Sequence, residues 1–355
     1  MSCRCFEVAF RGVSKLLGDG APVFLAAEIG LNHNGDLALA KECISAAAAA
    51  GADAVKFQNY RTEDFLQDES LMYTYVCDGE TVSEPQYAMF KRCELSLDDL
   101  SVLADYAAEE KVLFFSTPSG TTGVDDIMRL GLPLIKNASD SLGNRTLLRK
   151  MAATGLPCVL STGMATLDEI NTAVDVFRQT GNDQLVLAVC TSLYPTPSEQ
   201  VNLRRIATLC EAFQCPVGFS DHTEGIAAPA GAVALGAVYV EKHFTLDKTL
   251  PGPDHRFSAD PMEFQQLAEA VRTVEAALGS GTIGPTPSET QARAQFGFSL
   301  CAARDLETGH VLAEQDIALY RPGTGLPPQA EERIVGRALR NAVKKGQQFT
   351  LAMFG

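Results

Sequence analysis

Between residues 23 and about 278 one pattern recurs. A short, almost wholly apolar run ends in polar residues, and a longer stretch with helical periodicity follows. The runs fall at 23–27, 54–57, 112–115, 132–135, 157–160, 184–189, 216–219 and 237–240. Brief runs that are nearly all apolar suit parallel strands buried on both faces. The stretches between them, 37–50, 97–110, 123–130, 145–154, 167–180, 202–213, 225–235 and 262–278, read as helices. Asp36 stands where a helix N-cap belongs and Gly51 where a C-terminal glycine belongs. Eight such units of about 30 residues predict an α/β fold, a closed (β/α)8 TIM barrel. An open doubly wound sheet usually carries a glycine-rich phosphate fingerprint after its first strand, and none follows 23–27.

The barrel domain spans 1–278, with residues 1–22 expected to form a hairpin over the barrel floor. A linker at 279–291 opens on the Gly/Pro/Ser/Thr-rich GSGTIGPTPS. Residues 292–355 form a small second domain, β-rich by its short alternating runs and its turn signals at 307–309 and 321–323. A length of 355 residues, 46% hydrophobic and 21% charged, supplies core enough for this plan without staples. The net charge of −15 argues against nucleic acid and against an anionic membrane surface as partners. An anionic substrate would have to be held by a few local cations. Ten cysteines without a CxxC pair, and no apolar signal segment over 1–10, lead to the expectation of reduced thiols in the cytoplasm. Cys3 and Cys5 form a lone CxC, better read as ordinary thiols than as a metal site. The longest apolar run, 226–240, is broken by Pro229, Gly231 and Gly236, so no membrane span is expected.

In a barrel the residues at the C-terminal strand ends build the active site. Those at or just after the ends of the eight runs are Glu28, Lys56, Ser116–Thr117, Lys136, Ser161–Thr162, Thr191–Ser192, 220–222 and 241–243. Ser161, Thr162 and Ser220, taken singly, read as helix caps. Two lysines, two histidines and a glutamate directly after apolar strands do not, because such groups are seldom buried unless paired or functional. His222 and His243 follow adjacent strands, and the first strand, ending in Glu28, neighbours the last. Two imidazoles near a carboxylate, with positions left open for water and substrate, suit a divalent transition metal. Lys56 and Lys136 suit an anion, or alternatively a Schiff base.

The chain resembles the sialic acid synthase family. The resemblance rests on AEIGLNHNGDLALAKECI (27–44), GADAVKFQ (51–58), YAMFKRCELS (87–96), FFSTP (114–118), STGMATLDEI (161–170), CTSLYPTPSEQVNL (190–203), GFSDHTEG (218–225), EKHFTLDKTLPGPDHRFS (241–258) and YRPGTGL (320–326). From residue 296 the chain resembles that family's antifreeze-like (SAF) domain. The resemblance implies condensation of phosphoenolpyruvate with an open-chain N-acetylhexosamine such as N-acetylmannosamine, phosphate leaving by C–O cleavage. It implies His222 and His243 as ligands of Mn²⁺, with Mg²⁺ or Co²⁺ as alternatives, and catalytic roles for Glu28, Lys56 and Lys136. Ser139, Ser161 and Ser220 would be hydroxyl partners of phosphoenolpyruvate. Tyr194 and Asp254 would lie on the sugar side, and Gln58, Thr117 and Ser192 complete the substrate-binding set. Arg321 would reach the partner's active site in a domain-swapped homodimer.

One stretch departs from the family pattern. After the fourth strand the family reads Lys-x-x-Ser-Gly and then an acid, whereas this chain reads Lys136-Asn137-Ala138-Ser139-Asp140-Ser141. Ser141 holds the acid's place, and Ser192 stands where Asn is frequent, so the acceptor sugar is open. Two rival readings remain. A Schiff-base aldolase would need no metal, and a non-catalytic carbohydrate-binding paralogue would not need the ionisable strand ends.

Overall fold

The computed structural model describes residues 4–77 and 79–355, so Cys3 of the CxC pair lies outside the described residues. The chain divides into two compact units, 1–279 and 280–355. The first opens with the hairpin β1 (Cys5–Phe10) and β2 (Val13–Gly18). Its Val8, Phe10 and Leu17 join the main core. Arg4 and Lys15 pair with Asp183 and Asp53, both ahead of barrel strands, which puts the hairpin under the floor as expected.

Strand β3 (Phe24–Glu28) leads into helix α1 (Leu37–Ala49), and β4 (Ala54–Asn59) follows. Asp36 caps α1, accepting from the amides of Ala38 and Leu39. The chain then makes an excursion that the repeat pattern does not announce: α2 (Thr62–Phe65), the hairpin β5 (Met72–Cys77) and β6 (Glu80–Pro85), and α3 (Gln86–Arg92). Helix α4 (Leu97–Glu109) and β7 (Leu113–Pro118) resume the repeat. Next come α5 (Thr121–Leu130), β8 (Ile135–Asn137), α6 (Arg145–Ala153), β9 (Cys158–Ser161), α7 (Leu167–Arg178) and β10 (Leu185–Cys190). Helix α8 (Arg205–Phe213), β11 (Val217–Asp221), α9 (Ala227–Ala234), β12 (Tyr239–His243) and α10 (Pro261–Leu278) end the unit. The eight strands β3, β4 and β7–β12 close in sequence order, β12 pairing with β3 in parallel.

The strands run past the apolar runs by one to three residues, so most of the polar strand ends belong to the strands themselves. Caps come from elsewhere: Asp36, Ser96, Asn144, Thr166 and Asp260 accept helix amides in this unit. Ser161 and Ser220 lie inside β9 and β11 and are not caps; Thr162 instead donates to the Ala188 carbonyl. At such positions alternate side chains enter the barrel, and a polar residue stays hydrogen-bonded only by reaching its counterparts across the barrel.

In the second unit helix α11 (Pro287–Phe296) starts inside the stretch read as linker. Beyond it a two-stranded sheet, β13 (Ser299–Ala302) and β14 (Ile317–Tyr320), and several isolated bridges surround a core of Leu300, Leu306, Leu312, Ile334, Phe349 and Phe354. No disulfide forms among the nine described cysteines, and no described helix is long and apolar enough to cross a membrane.

Candidate active site

Register and closure decide which side chains meet. Parallel pairing puts Glu28 beside both Lys56 and His243, and Ser220 beside Glu241. The C-terminal mouth of the barrel holds a cavity of about 420 Å³. Glu28, Lys56, Gln58, Thr117, Lys136, Ser139, Ser161, Tyr194, Ser220, His222, His243 and Asp254 all line it. Ser192 sits just behind. A Cβ on Gly163 would come within 2.6 Å of the hydroxyls of both Ser139 and Ser192, so only glycine lets this turn lie against them. Arg321 belongs to the second unit, its guanidinium 5.3 Å from the Phe298 ring centre.

The centre of the cavity is Glu241, which the sequence marked only as one polar strand end among several. Its Oε1 lies 3.4 Å from Lys136 Nζ, 3.6 Å from Lys56 Nζ and 3.2 Å from Ser220 Oγ. Its Oε2 accepts from the Tyr239 hydroxyl. Tyr239 reaches it because the neighbouring strand has Gly218, where a Cβ would stand 2.6 Å from that of Tyr239. Lys56 also pairs with Glu28 at 2.8 Å and donates to Thr117 Oγ1 at 3.0 Å, while Gln58 donates to Glu28 Oε1 at 3.0 Å. Burial pushes the Glu241 carboxyl towards neutrality, but Lys136 and Lys56 outweigh it and hold the group below the usual carboxylate range. Burial raises Glu28, with the Glu241 charge adding to it and Lys56 opposing. Lys56 is depressed by burial, yet Glu241 and Glu28 more than compensate and keep it firmly protonated.

The two imidazoles lie next to this cluster, ring centres 5.4 Å apart. His222 Nδ1 meets the Thr191 carbonyl at 2.9 Å; a carbonyl only accepts, so Nδ1 carries the proton and Nε2 keeps its lone pair. That is the outer-sphere arrangement of a metal-binding histidine. His243 Nδ1 is buried without a hydrogen bond, with Asp254 Oδ2 3.7 Å away. Burial, the largest cause, holds His243 well below its ordinary value, in the neutral form a ligand needs. Burial, helped by the Glu28 charge, lifts Asp254 to about 7. Among the described residues no three His, Cys, Asp or Glu groups converge as a closed metal cage. The donor set fits a cation that takes two protein nitrogens and fills its other positions with water and substrate oxygens.

On the outward face of the same strands, Asp221 and Lys242 clamp the His222 turn. Lys242 Nζ donates to Asp221 Oδ2 at 2.6 Å and to the Thr223 carbonyl at 2.7 Å, and Asp221 Oδ1 accepts from the Thr223 amide at 2.9 Å. Both residues flanking His222 are thereby tied to the residue preceding His243.

A barrel mouth that concentrates two lysines, buried carboxylates and two imidazoles in one small cavity has the make-up of an enzyme's active site. The NeuB family profile matches residues 43–283 and the SAF domain profile residues 299–355. The chain belongs to the NeuB family, the sialic-acid-type synthases, and ends in a SAF domain. It is 41% identical over 333 residues to N,N'-diacetyllegionaminic acid synthase of Legionella pneumophila, covering 93% of this chain and 94% of that one. It is 35% identical over 335 residues to the N-acetylneuraminate-9-phosphate synthase of Homo sapiens, covering 93% and 92%. The crystal structure of N-acetylneuraminic acid synthetase from Leptospira borgpetersenii in complex with citrate matches with TM-score 0.73 and 34% identity, over 82% of this chain and 96% of that one.

Proposed function

We propose that this enzyme condenses phosphoenolpyruvate with the open-chain aldehyde of an N-acetylated amino sugar to give a nonulosonate, releasing phosphate by C–O cleavage. The observation that carries the reading is the convergence of Lys56 and Lys136 on one buried carboxylate, Glu241, beside two imidazoles. Two ammonium groups held in place neutralise the phosphate and carboxylate of phosphoenolpyruvate. Ser139, Ser161 and Ser220 offer hydroxyls to the same anion, and Thr117 orients Lys56.

His222 and His243 would hold a divalent cation, Mn²⁺ first, with Mg²⁺ or Co²⁺ as alternatives. Bound there, the ion supplies Lewis-acid polarisation of the aldehyde and orients a water. C3 of phosphoenolpyruvate attacks the aldehyde carbon and that oxygen takes a proton. Water oxygen adds at C2, and the C2–O bond breaks with its electron pair leaving on phosphate. Glu28, raised by burial and fixed by Gln58 and Lys56, is the residue suited to take the proton of the added water. Tyr194, its ring tilted against His222 with ring centres 4.2 Å apart, and Asp254 face the sugar side.

The second unit supports a composite site. Phe296, Phe298 and Tyr320 around Arg321 are exposed, an apolar surface suited to covering a second copy's barrel mouth. Arg321→Ala and Lys136→Ala homodimers are each expected to be nearly inactive, and mixed dimers to regain activity at the one intact site. No recovery after proven subunit exchange would place Arg321 within its own chain's site or outside any site.

The test of the reading as a whole is phosphate release from phosphoenolpyruvate across a panel of hexosamines, with and without chelator. Chelation should abolish release and Mn²⁺ restore it. Full activity in excess chelator, with a borohydride-trapped lysine adduct, would favour the Schiff-base aldolase.

A further inference from the structure

A polar group that the proposed chemistry leaves idle lies beneath the cavity, the Tyr239 hydroxyl. Tyr239 opens β12, two residues before Glu241, so both side chains point into the barrel. Glu241 lines the cavity, and Tyr239 lies one layer nearer the floor, wholly buried. Its ring stacks on Phe24 of the neighbouring strand, ring centres 6.0 Å apart, and Phe24 meets Phe115 edge to face. An apolar ring would fill this layer equally well. A phenol adds a hydroxyl whose burial is costly unless it is hydrogen-bonded. Among the described residues that hydrogen bond goes to Glu241 Oε2.

That bond divides the work of the Glu241 carboxylate between its two oxygens. Oε2 is tied towards the floor. Oε1 faces Lys136 at 3.4 Å, Lys56 at 3.6 Å and Ser220 at 3.2 Å. A freely formed ammonium–carboxylate contact closes to about 2.8 Å. Lys56 reaches that distance on Glu28, at 2.8 Å, and Lys242 on Asp221, at 2.6 Å. Both lysine contacts to Glu241 stop short of it. Without the phenol, Oε2 would be a buried carboxylate oxygen with no donor, and such an oxygen is costly. Turning the carboxylate towards Lys56 and Lys136 would supply donors, and both lysines would then be gripped by Glu241.

Resting on the synthase reading above, we infer that Tyr239 is a positioning residue for phosphoenolpyruvate. Its hydroxyl anchors one oxygen of Glu241, so the carboxylate attracts Lys56 and Lys136 without closing on either. Both ammonium groups stay turned to the cavity, and an incoming anion has only long contacts to Glu241 to displace. Tyr239 touches no substrate, because it lies outside the cavity lining. It acts through Glu241 alone.

The test uses the full chain and Tyr239→Phe, which removes one oxygen and keeps the ring on Phe24, so the variant should fold. Phosphoenolpyruvate is titrated calorimetrically without acceptor, and phosphate release is then followed with one. Tyr239→Phe should weaken the Kd and raise the KM of phosphoenolpyruvate about tenfold, with kcat and the KM of the acceptor within about twofold of wild type. A role in packing alone predicts the opposite, a Phe variant that binds phosphoenolpyruvate like wild type, and that result overturns the inference while the synthase reading stands. Glu241→Gln supplies the second arm, because a neutral amide of the same shape cannot grip the lysines. In that background Tyr239→Phe should change the Kd of phosphoenolpyruvate by less than about twofold. The same tenfold loss in both backgrounds would show that Tyr239 does not act through Glu241 and would overturn its assignment. Wild-type enzyme that neither binds phosphoenolpyruvate nor releases phosphate from it would remove the synthase reading, and this inference with it.

Discussion

The floor and the rim of the barrel use the same residue types to opposite ends. At the floor, Asp53 is shared by the Leu25 amide at 2.9 Å, Lys15 at 2.8 Å and Arg272 at 2.9 Å, one carboxylate with its acceptor capacity matched by donors. At the rim, Glu241 gathers Lys56 and Lys136 at the looser distances of 3.6 and 3.4 Å, and His243 keeps a buried nitrogen without a partner. The floor's charges are consumed in holding β3, β4, the hairpin and α10 together. Those at the rim are less fully engaged, as the proposed reading requires of groups that must meet an incoming anion. Satisfied polar groups mark the stabilising end of the barrel, and under-satisfied ones mark the reactive end.

Exchanging the two ends gives the largest expected effect. Lys136→Ala should reduce kcat/KM by about 10³-fold or more, roughly 4 kcal/mol, without lowering the melting temperature. Asp53→Ala should do the reverse, losing about 2 kcal/mol of stability in urea while kcat/KM per folded molecule stays unchanged. A large activity loss in Asp53→Ala would erase the distinction between floor and rim.

Next comes the clamp behind the imidazoles, a rim element built like the floor. Lys242→Met leaves Asp221 buried without its cation and should destabilise the protein by about 3 kcal/mol. The double variant Lys242→Met/Asp221→Leu should regain most of that stability but still bind Mn²⁺ more weakly in a titration, because the clamp on both sides of His222 is then gone. Unchanged Mn²⁺ affinity would confine the pair to stability alone.

A smaller and global effect is set by pH. Burial holds both His33 and His255 at about 4, below the ordinary 6.5. Each is neutral when folded and takes up a proton more readily when unfolded. Their stabilising contribution is therefore complete above pH 6.5 and is lost as pH falls towards 4. Denaturation at pH 4.5 should show each contributing about 2–3 kcal/mol less than at pH 7. A pH dependence left unchanged by His33→Gln and by His255→Gln would mean that the two rings take up protons as readily folded as unfolded. The smallest effect is at the rim loop. Ser141→Glu should reorder the acceptor sugars by several-fold and spare the KM of phosphoenolpyruvate, since Ser141 lies beyond the lysine and serine set. Weakened phosphoenolpyruvate binding with an unchanged sugar ranking would place this loop on the wrong substrate.

The eight strands were legible because burial on both faces forces apolar residues at nearly every position before the strand ends, and Asp36 and Gly51 marked the bounds of the first helix. The strand ends were less legible. Lys136, Ser220 and Glu241 are polar yet extended, and sequence periodicity cannot separate a strand residue facing a wet cavity from the start of a loop. The β5–β6 hairpin escaped the repeat altogether, though Thr74 and Ser83, opposite one another, and Gly79 with φ +79° are ordinary hairpin signals. Glu241 was visible as a residue but not as a centre. Its meeting with Lys56 and Lys136 depends on barrel closure, which brings together residues 185 and 105 positions apart in sequence. Tyr194, Asp254 and Ser139 carried no signal of their own beyond the family resemblance.

The most direct measurement runs the reaction in ¹⁸O-enriched water with phosphoenolpyruvate and an N-acetylated acceptor, and reads both products by mass spectrometry. C–O cleavage with water adding at C2 predicts ¹⁸O in the ketose and released phosphate free of label. Phosphate carrying the label would mean attack at phosphorus, and would contradict the condensation assigned to this rim.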